Sequence, residues 1–168
     1  AFPCFDEPRF KTPFDVSVYT IARDAVSSNT LPLSQEQDAE GVIKTSVATT
    51  APLPTYLLAL AVGPYDIIEG TPVPASKIRP QPLPLRAVTV NGKSERAKFA
   101  LSSTPALVNQ LEDYFAAPFP YPKLDLIAPP NFLAGGMENA GAITYTERGI
   151  LLGPKPTANQ RRYFELLH

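Results

Sequence analysis

The residue whose type and setting most invite chemistry is Glu138. It lies in the run Ala134, Gly135, Gly136, Met137, Glu138, Asn139, directly before the β-prone stretch GAITY at 141–145. A carboxylate there can accept charge-assisted hydrogen bonds from a cation. Gly135 and Gly136 remove the Cβ barrier to unusual backbone angles and let another chain come close to the main chain. The stretch that follows can offer an edge on which an extended peptide adds as a strand. A carboxylate beside such an edge suits the protonated α-amine at a peptide's end. The spacing alone leaves a plainer alternative open, in which Gly-Gly-x-Glu-Asn is only a turn before a strand.

Other candidate groups carry less. Asp6 and Glu7 are adjacent, so in an extended segment they point to opposite sides, and with Pro8 fixing the backbone they suit a turn or a cap. The single cysteine, Cys4, excludes an internal disulfide, leaves the compartment open, and is expected to be a small buried apolar residue. One His and one Cys cannot make a zinc site of the usual nitrogen and sulfur type, which needs three or four protein ligands. Nothing near Cys4 would activate its thiol toward His168. Phosphate-cradling and dinucleotide glycine motifs and the nucleophile elbow are missing from the sequence.

Composition narrows the classes further. With 15 Lys+Arg against 16 Asp+Glu the formal charge is -1, so there is no basic footprint for nucleic acid. The longest apolar run, YLLALAV at 56–62, is far short of the roughly 20 residues that span a bilayer, so no membrane segment is expected in this chain. The first residues lack the charged and apolar regions of a signal peptide. With 44% hydrophobic and 18% charged residues the chain should fold, and 20 prolines should keep long helices few.

Positioning the Glu138 run falls to elements that can be read from periodicity. FDVSVYTIA at 14–22 alternates, with Phe14, Val16 and Val18 on one side, as in a half-buried strand. The polar stretch 27–41 reads as a long hairpin connection, and 42–48 as the returning strand. Residues 55–63 read as a buried strand, with YDIIEG at 65–70 as its partner. The proline-rich stretch 71–84 is expected to be an extended connection, and the domain boundary is placed there. Leu85–Val90 is expected to be a strand closed by an Asn91-Gly92 turn. A short helix is expected over 94–103, then a second with Thr104 as N-cap and Pro105 at its first position, its apolar side formed by Leu107, Val108, Leu111, Tyr114 and Phe115. Strands from Lys123 and Gly141 follow. A last helix should open near Thr157, with Tyr163, Phe164 and Leu167 on its apolar side.

Four stretches in the same order, AFPCFDEPRFKTPF, PLPTYLLALAVGPY, FPYPKLDLIAPPNFLAGGMENAGAITYTE and RRYFELLH, resemble the zinc aminopeptidases of the alanyl aminopeptidase and leukotriene hydrolase family. Residues Gly135 to Asn139 carry its G-x-M-E-N motif, the most specific part of the likeness. The resemblance implies an α+β fold. Residues 1–84 would be the end of a β-rich, saddle-like N-terminal domain and 85–168 the start of a thermolysin-like catalytic domain. It implies that Glu138 binds the free amino terminus of a peptide substrate, and that the backbone around Ala134 to Met137 holds the chain. A buried carboxylate in that role would reject an acylated terminus at a cost on the order of several kcal/mol.

The family's H-E-x-x-H helix, whose two His bind zinc while the Glu activates water, would begin where this sequence stops. His168 would be its first ligand or a residue just before it, and zinc would be held mostly or wholly by residues outside the chain. By itself the 168-residue polypeptide is expected to be inactive, with cut ends that lower its solubility. Ala140 departs from the family, which usually has Trp there, and this would alter the pocket wall. A family residue that helps to bind the amine falls upstream of Ala1. Two rivals stay open: a peptide-end-binding module without catalysis, and a truncated structural fragment.

Overall fold

The computed structural model of the chain describes residues 2–153 and 155–167, with the side chain of Leu167 excepted. Among these residues ten strands run in chain order: β1 (Ser17–Ile21), β2 (Ala25–Ser28), β3 (Pro32–Gln37), β4 (Val42–Val47), β5 (Leu60–Gly63), β6 (Tyr65–Glu69), β7 (Leu85–Val90), β8 (Leu124–Ala128), β9 (Gly136–Met137) and β10 (Ala142–Tyr145). Three α-helices join them: α1 (Lys98–Phe115), α2 (Glu147–Ile150) and α3 (Ala158–Leu167). The strands form a three-stranded sheet in the order β1-β4-β3, a two-stranded β2-β5 ribbon, and a five-stranded sheet in the order β6-β7-β8-β10-β9.

The alternation at 14–22 does what it should: Phe14, Val16 and Val18 are half-buried while Asp15, Ser17 and Tyr19 face out. Strand β4 returns antiparallel to β1, pairing Tyr19 with Lys44. The stretch 27–41 is not a hairpin connection, however. It holds the end of β2 and all of β3, and β3 pairs antiparallel with β4. Every residue of β3 is exposed, so its polar composition hides an edge strand that carries no burial pattern.

Residues 55–63 also differ from expectation. They open as a 3-10 turn at Thr55–Leu57 and only then become β5, in which Ala61 is buried while Leu60 is 56% exposed. YDIIEG does not pair with β5. It forms β6, which pairs antiparallel with β7 beyond the proline-rich stretch, while β5 pairs with β2. Along that stretch Val73 and Leu83 bridge one another and are both buried. Cys4 is exposed rather than buried, because residues 2–13 all lie on the surface. Nearby, Asp6 accepts a hydrogen bond from the Thr55 hydroxyl and Glu7 pairs with Arg9.

One helix replaces the two expected over 94–115. A 3-10 turn at Ser94–Ala97 leads into α1, which runs straight through Pro105. Thr104 is no N-cap: it is buried inside the helix and its hydroxyl donates to the Ala100 carbonyl at 2.8 Å. Leu101, Thr104, Val108 and Glu112 are buried along one stripe of α1, and this anchoring keeps the helix continuous across a residue that cannot donate to the preceding turn. It ends at Ala116, whose left-handed φ of 50° closes the last turn before the prolines.

Strands β7 and β8 are wholly buried apart from half-buried Val90, and pair in parallel, Leu85 beside Leu124. β10 continues the sheet parallel to β8. The main core lies between this sheet, α1 and α3, around Leu85, Leu126, Tyr145, Ile150 and Phe164. At α3 the Thr157 hydroxyl accepts from the Gln160 N–H while the Gln160 side chain accepts from the Thr157 N–H, a reciprocal cap that sets the helix start where expected. Phe164 is buried and Tyr163 is 43% exposed. The expectations for His168 and for the Leu167 side chain lie outside the described residues.

Candidate functional site

Strand β9 is the motif itself. Gly136 pairs with Tyr145 and Met137 with Thr144, and the Thr146 N–H donates to the Gly135 carbonyl. At this end of the five-stranded sheet the edge strand is therefore β9, not the β-branched run after the motif, which lies inside the sheet as β10. Neither Gly135 nor Gly136 has a positive φ. A Cβ at Gly136 would meet only ordinary contacts, the Thr144 carbonyl at 3.6 Å and the Tyr145 ring at 3.7 Å. Among Gly135, Gly136 and Gly141, the one that needs left-handed backbone is Gly141, at φ 68°, where a Cβ would lie 2.8 Å from the Asn29 carbonyl.

The six motif residues divide by what they face. Gly136, Met137 and Glu138 border a cleft of about 740 Å³. Its other walls come mainly from Leu107, Leu111 and Phe115 of α1, Phe119 beyond that helix, and Leu166 of α3. Ala134 and Gly135 are exposed and precede the edge strand. Asn139 turns inward: it is buried, its side-chain amide donates to the Tyr56 and Leu58 carbonyls at 3.4 and 3.5 Å, and its side-chain oxygen accepts from the Thr144 hydroxyl at 3.2 Å. Ala140 is buried away from the cleft lining, so its small side chain does not shape that wall.

Two carboxylates border the cleft, and they differ. Glu112 is buried and committed: Arg79 donates to it at 2.8 Å, as does the Phe119 N–H. Glu138 is exposed, not buried as the implied role supposed, and among the described residues its carboxylate has no hydrogen-bond or ion-pair partner. A carboxylate whose acceptor sites are unused, at the end of an edge strand and over an apolar cleft, can receive an ammonium group while the edge amides and carbonyls receive an extended chain. Beside it, burial pushes the Tyr145 phenol above the ordinary tyrosine range, so it stays protonated.

Behind the motif lies a buried polar cluster that periodicity does not announce. The Lys123 ammonium is fully buried and donates to the Ser28 and Gly141 carbonyls and to Asp125 at 2.8 Å. Asp125 also receives the Ser27 hydroxyl at 2.7 Å and a two-pronged contact from Arg86 at 2.8 and 2.6 Å. Burial pushes Lys123 down to about 8, against the opposing pull of Asp125. For Asp125 burial alone would raise the carboxyl, but the Arg86 hydrogen bond and the Lys123 and Arg86 charges outweigh it and hold it low. The usable signal was two charges at alternate positions of KLDLIA, a strand otherwise apolar on both faces. Such charges must find partners inside.

Among the described residues no three His, Cys, Asp or Glu side chains converge to hold a metal ion. Nor is any helix among the described residues long and apolar enough to cross a membrane.

Fold and site together define a β-rich module leading into a mixed sheet whose edge can take an extended chain. Comparison with known proteins makes this specific. Residues 1–57 match the peptidase M1 N-terminal domain and residues 99–166 the peptidase family M1 domain. Aminopeptidase M1-B of Oryza sativa subsp. japonica is 40% identical over 151 residues, which cover 89% of this chain and 16% of that protein. Endoplasmic reticulum aminopeptidase 1 of Homo sapiens is 36% identical over 151 residues, 90% of this chain and 15% of the relative. Puromycin-sensitive aminopeptidase of Caenorhabditis elegans is 34% identical over 163 residues, 96% and 16%. The chain belongs to the M1 family of peptidases, the alanyl aminopeptidase family of hydrolases, and runs from its β-rich N-terminal domain into the start of its catalytic domain. It spans about one-sixth of the length of the curated relatives it matches.

Proposed function

We propose that residues Ala134 to Asn139 bind the amino-terminal end of a peptide in a zinc-dependent aminopeptidase. Glu138 accepts hydrogen bonds from the substrate's ammonium group, and the backbone of residues 134–137 pairs with the first residues of the extended chain. The observation that supports this best is the Glu138 carboxylate at the end of β9, without a partner among the described residues and over an apolar cleft of about 740 Å³. The cleft gives room to an apolar side chain, while Asn139 points away from it and fixes the motif from behind. The division at residues 84 and 85 belongs to the same proposal.

Zinc would polarise the scissile carbonyl and supply a nucleophilic hydroxide. The described residues do not form its site, so their part is binding and orientation. Because Glu138 is exposed, its selectivity rests on a charge-assisted hydrogen bond of about 1.5–3 kcal/mol, below the cost a buried carboxylate would impose. In the full-length protein, Glu138→Gln should therefore weaken binding of a free-amine dipeptide amide about 10- to 100-fold and leave its N-acetyl counterpart unchanged. Calorimetry on the two ligands checks this. Equal losses for both would show that Glu138 does not read the amine.

A further inference from the structure

The segment that carries Glu138 is held by more than its own pairing with β10. The two residues that follow Asn139 present their carbonyls to side chains from elsewhere. Asn29, buried just after β2, donates from its side-chain amide to the Ala140 carbonyl at 2.8 Å and to the Leu57 carbonyl at 2.9 Å. Its side-chain oxygen accepts the Ala59 N–H at 2.8 Å. Lys123 donates to the Gly141 carbonyl at 2.9 Å and to the Ser28 carbonyl, and is itself braced by Asp125, which Ser27 and Arg86 hold in turn. Asn139 reaches the same stretch, at Tyr56 and Leu58. Gly141 has no space for a side chain because the Asn29 and Lys123 carbonyls lie 2.8 and 3.1 Å from where a Cβ would be.

Residues 139–141 are thus clamped between two groups that lie before the catalytic-domain match, 27–29 and 56–59, and Lys123 just before β8. The clamp is polar, buried and nearly saturated: three Lys123 contacts match its three N–H donors, and Asn29 uses its oxygen and both amide hydrogens. A hydrophobic contact would hold the segment's depth but not its twist. Hydrogen bonds to two successive carbonyls fix the rotation of the chain immediately after Glu138.

We propose that Asn29 and Lys123 are positioning residues through which the N-terminal β-rich part sets the direction of Glu138. Discrimination between free and blocked chain ends then depends on Asn29, 111 positions before the Ala140 carbonyl it binds, and on Lys123, which reaches back 95 positions to Ser28. This rests on the reading of Glu138 as the amine anchor, and it assigns the Asn29 amide a role that the motif's own residues do not supply.

The test is made in the full-length protein with a dipeptide amide bearing a free amino terminus and with its N-acetyl counterpart, binding being measured by calorimetry. Asn29→Ala should reduce the free-amine over acetylated preference at least 5-fold, with acetylated binding kept within 2-fold. Hydrogen exchange at the Ala142 amide, which donates to the Asn139 carbonyl, should quicken at least 10-fold in the same variant. Should Asn29→Ala fail to fold, Ser27→Ala is read in its place. It removes one brace from Asp125 and leaves the Lys123 and Arg86 contacts, and should reduce the preference about 2- to 3-fold. A preference unchanged in the folded variant, while Glu138→Gln abolishes it, overturns the positioning role and leaves the amine reading standing. A preference unchanged in Glu138→Gln as well overturns both.

Discussion

At the scale of single residues, Glu138 and Gly141 show how chemistry and backbone divide the work of one short run. Glu138 is available because nothing among the described residues engages it. Gly141 is where the glycine requirement falls, although the sequence draws the eye to Gly135 and Gly136. A side chain at 141 would meet both left-handed strain and a backbone oxygen at 2.8 Å, and backbone cannot yield as a flexible side chain can. Gly141→Ala should therefore cost about 2–4 kcal/mol of stability, whereas Gly136→Ala, with contacts no closer than 3.6 Å, should cost under about 1 kcal/mol. Denaturant unfolding of the two variants checks the contrast, and equal costs would refute it. The motif was legible in the sequence because its order of residues is distinctive. The assignment of strain within it was not, since that depends on Asn29 and Lys123, which approach only in the folded chain.

Elements were legible where their periodicity is complete, and less so where burial is one-sided or absent. β1, β7, β8 and β10 follow directly from alternation or from short apolar runs. β3 has no buried face to write a pattern. The single helix α1 was hidden because Pro105 ordinarily marks a start, and here four buried residues on one stripe override it. Sequence proximity points β6 to β5, yet its partner is the buried β7 beyond the proline-rich stretch. The start of α3, by contrast, was fixed by local chemistry, the reciprocal cap of Thr157 and Gln160. Thr157→Ala should destabilise the protein by about 1 kcal/mol, and Thr157→Ser by only a few tenths. Thermal melts of the two variants that coincide would count against the cap.

For the whole molecule, the buried Lys123, Asp125 and Arg86 group joins the β2 region to the five-stranded sheet, and its titration makes stability depend on pH. Lys123 sits at about 8 in the folded protein against 10.5 when exposed. Between those values the unfolded chain binds more protons, so stability from this group rises with pH; below about 8 both forms are protonated and its influence is flat. The stability difference between the wild type and Lys123→Met should shift in favour of the wild type by on the order of 2 kcal/mol from pH 8 to 10. A difference that shrinks over that interval would contradict the assignment. Asp125, held below the usual carboxylate range, acts in the same direction at the acid end, because there too the unfolded chain binds more protons. Its contribution is present above about pH 4 and is lost as the pH falls through its lowered value.

Whether the end of a peptide meets Glu138 is seen most directly in a crystal structure of the full-length protein with a free-amine dipeptide amide bound. The ligand's ammonium nitrogen should lie about 2.8 Å from a Glu138 carboxylate oxygen, its backbone alongside Gly136 and Met137, and its first side chain over the apolar cleft. An amine held by another group, with Glu138 facing solvent, would contradict that placement.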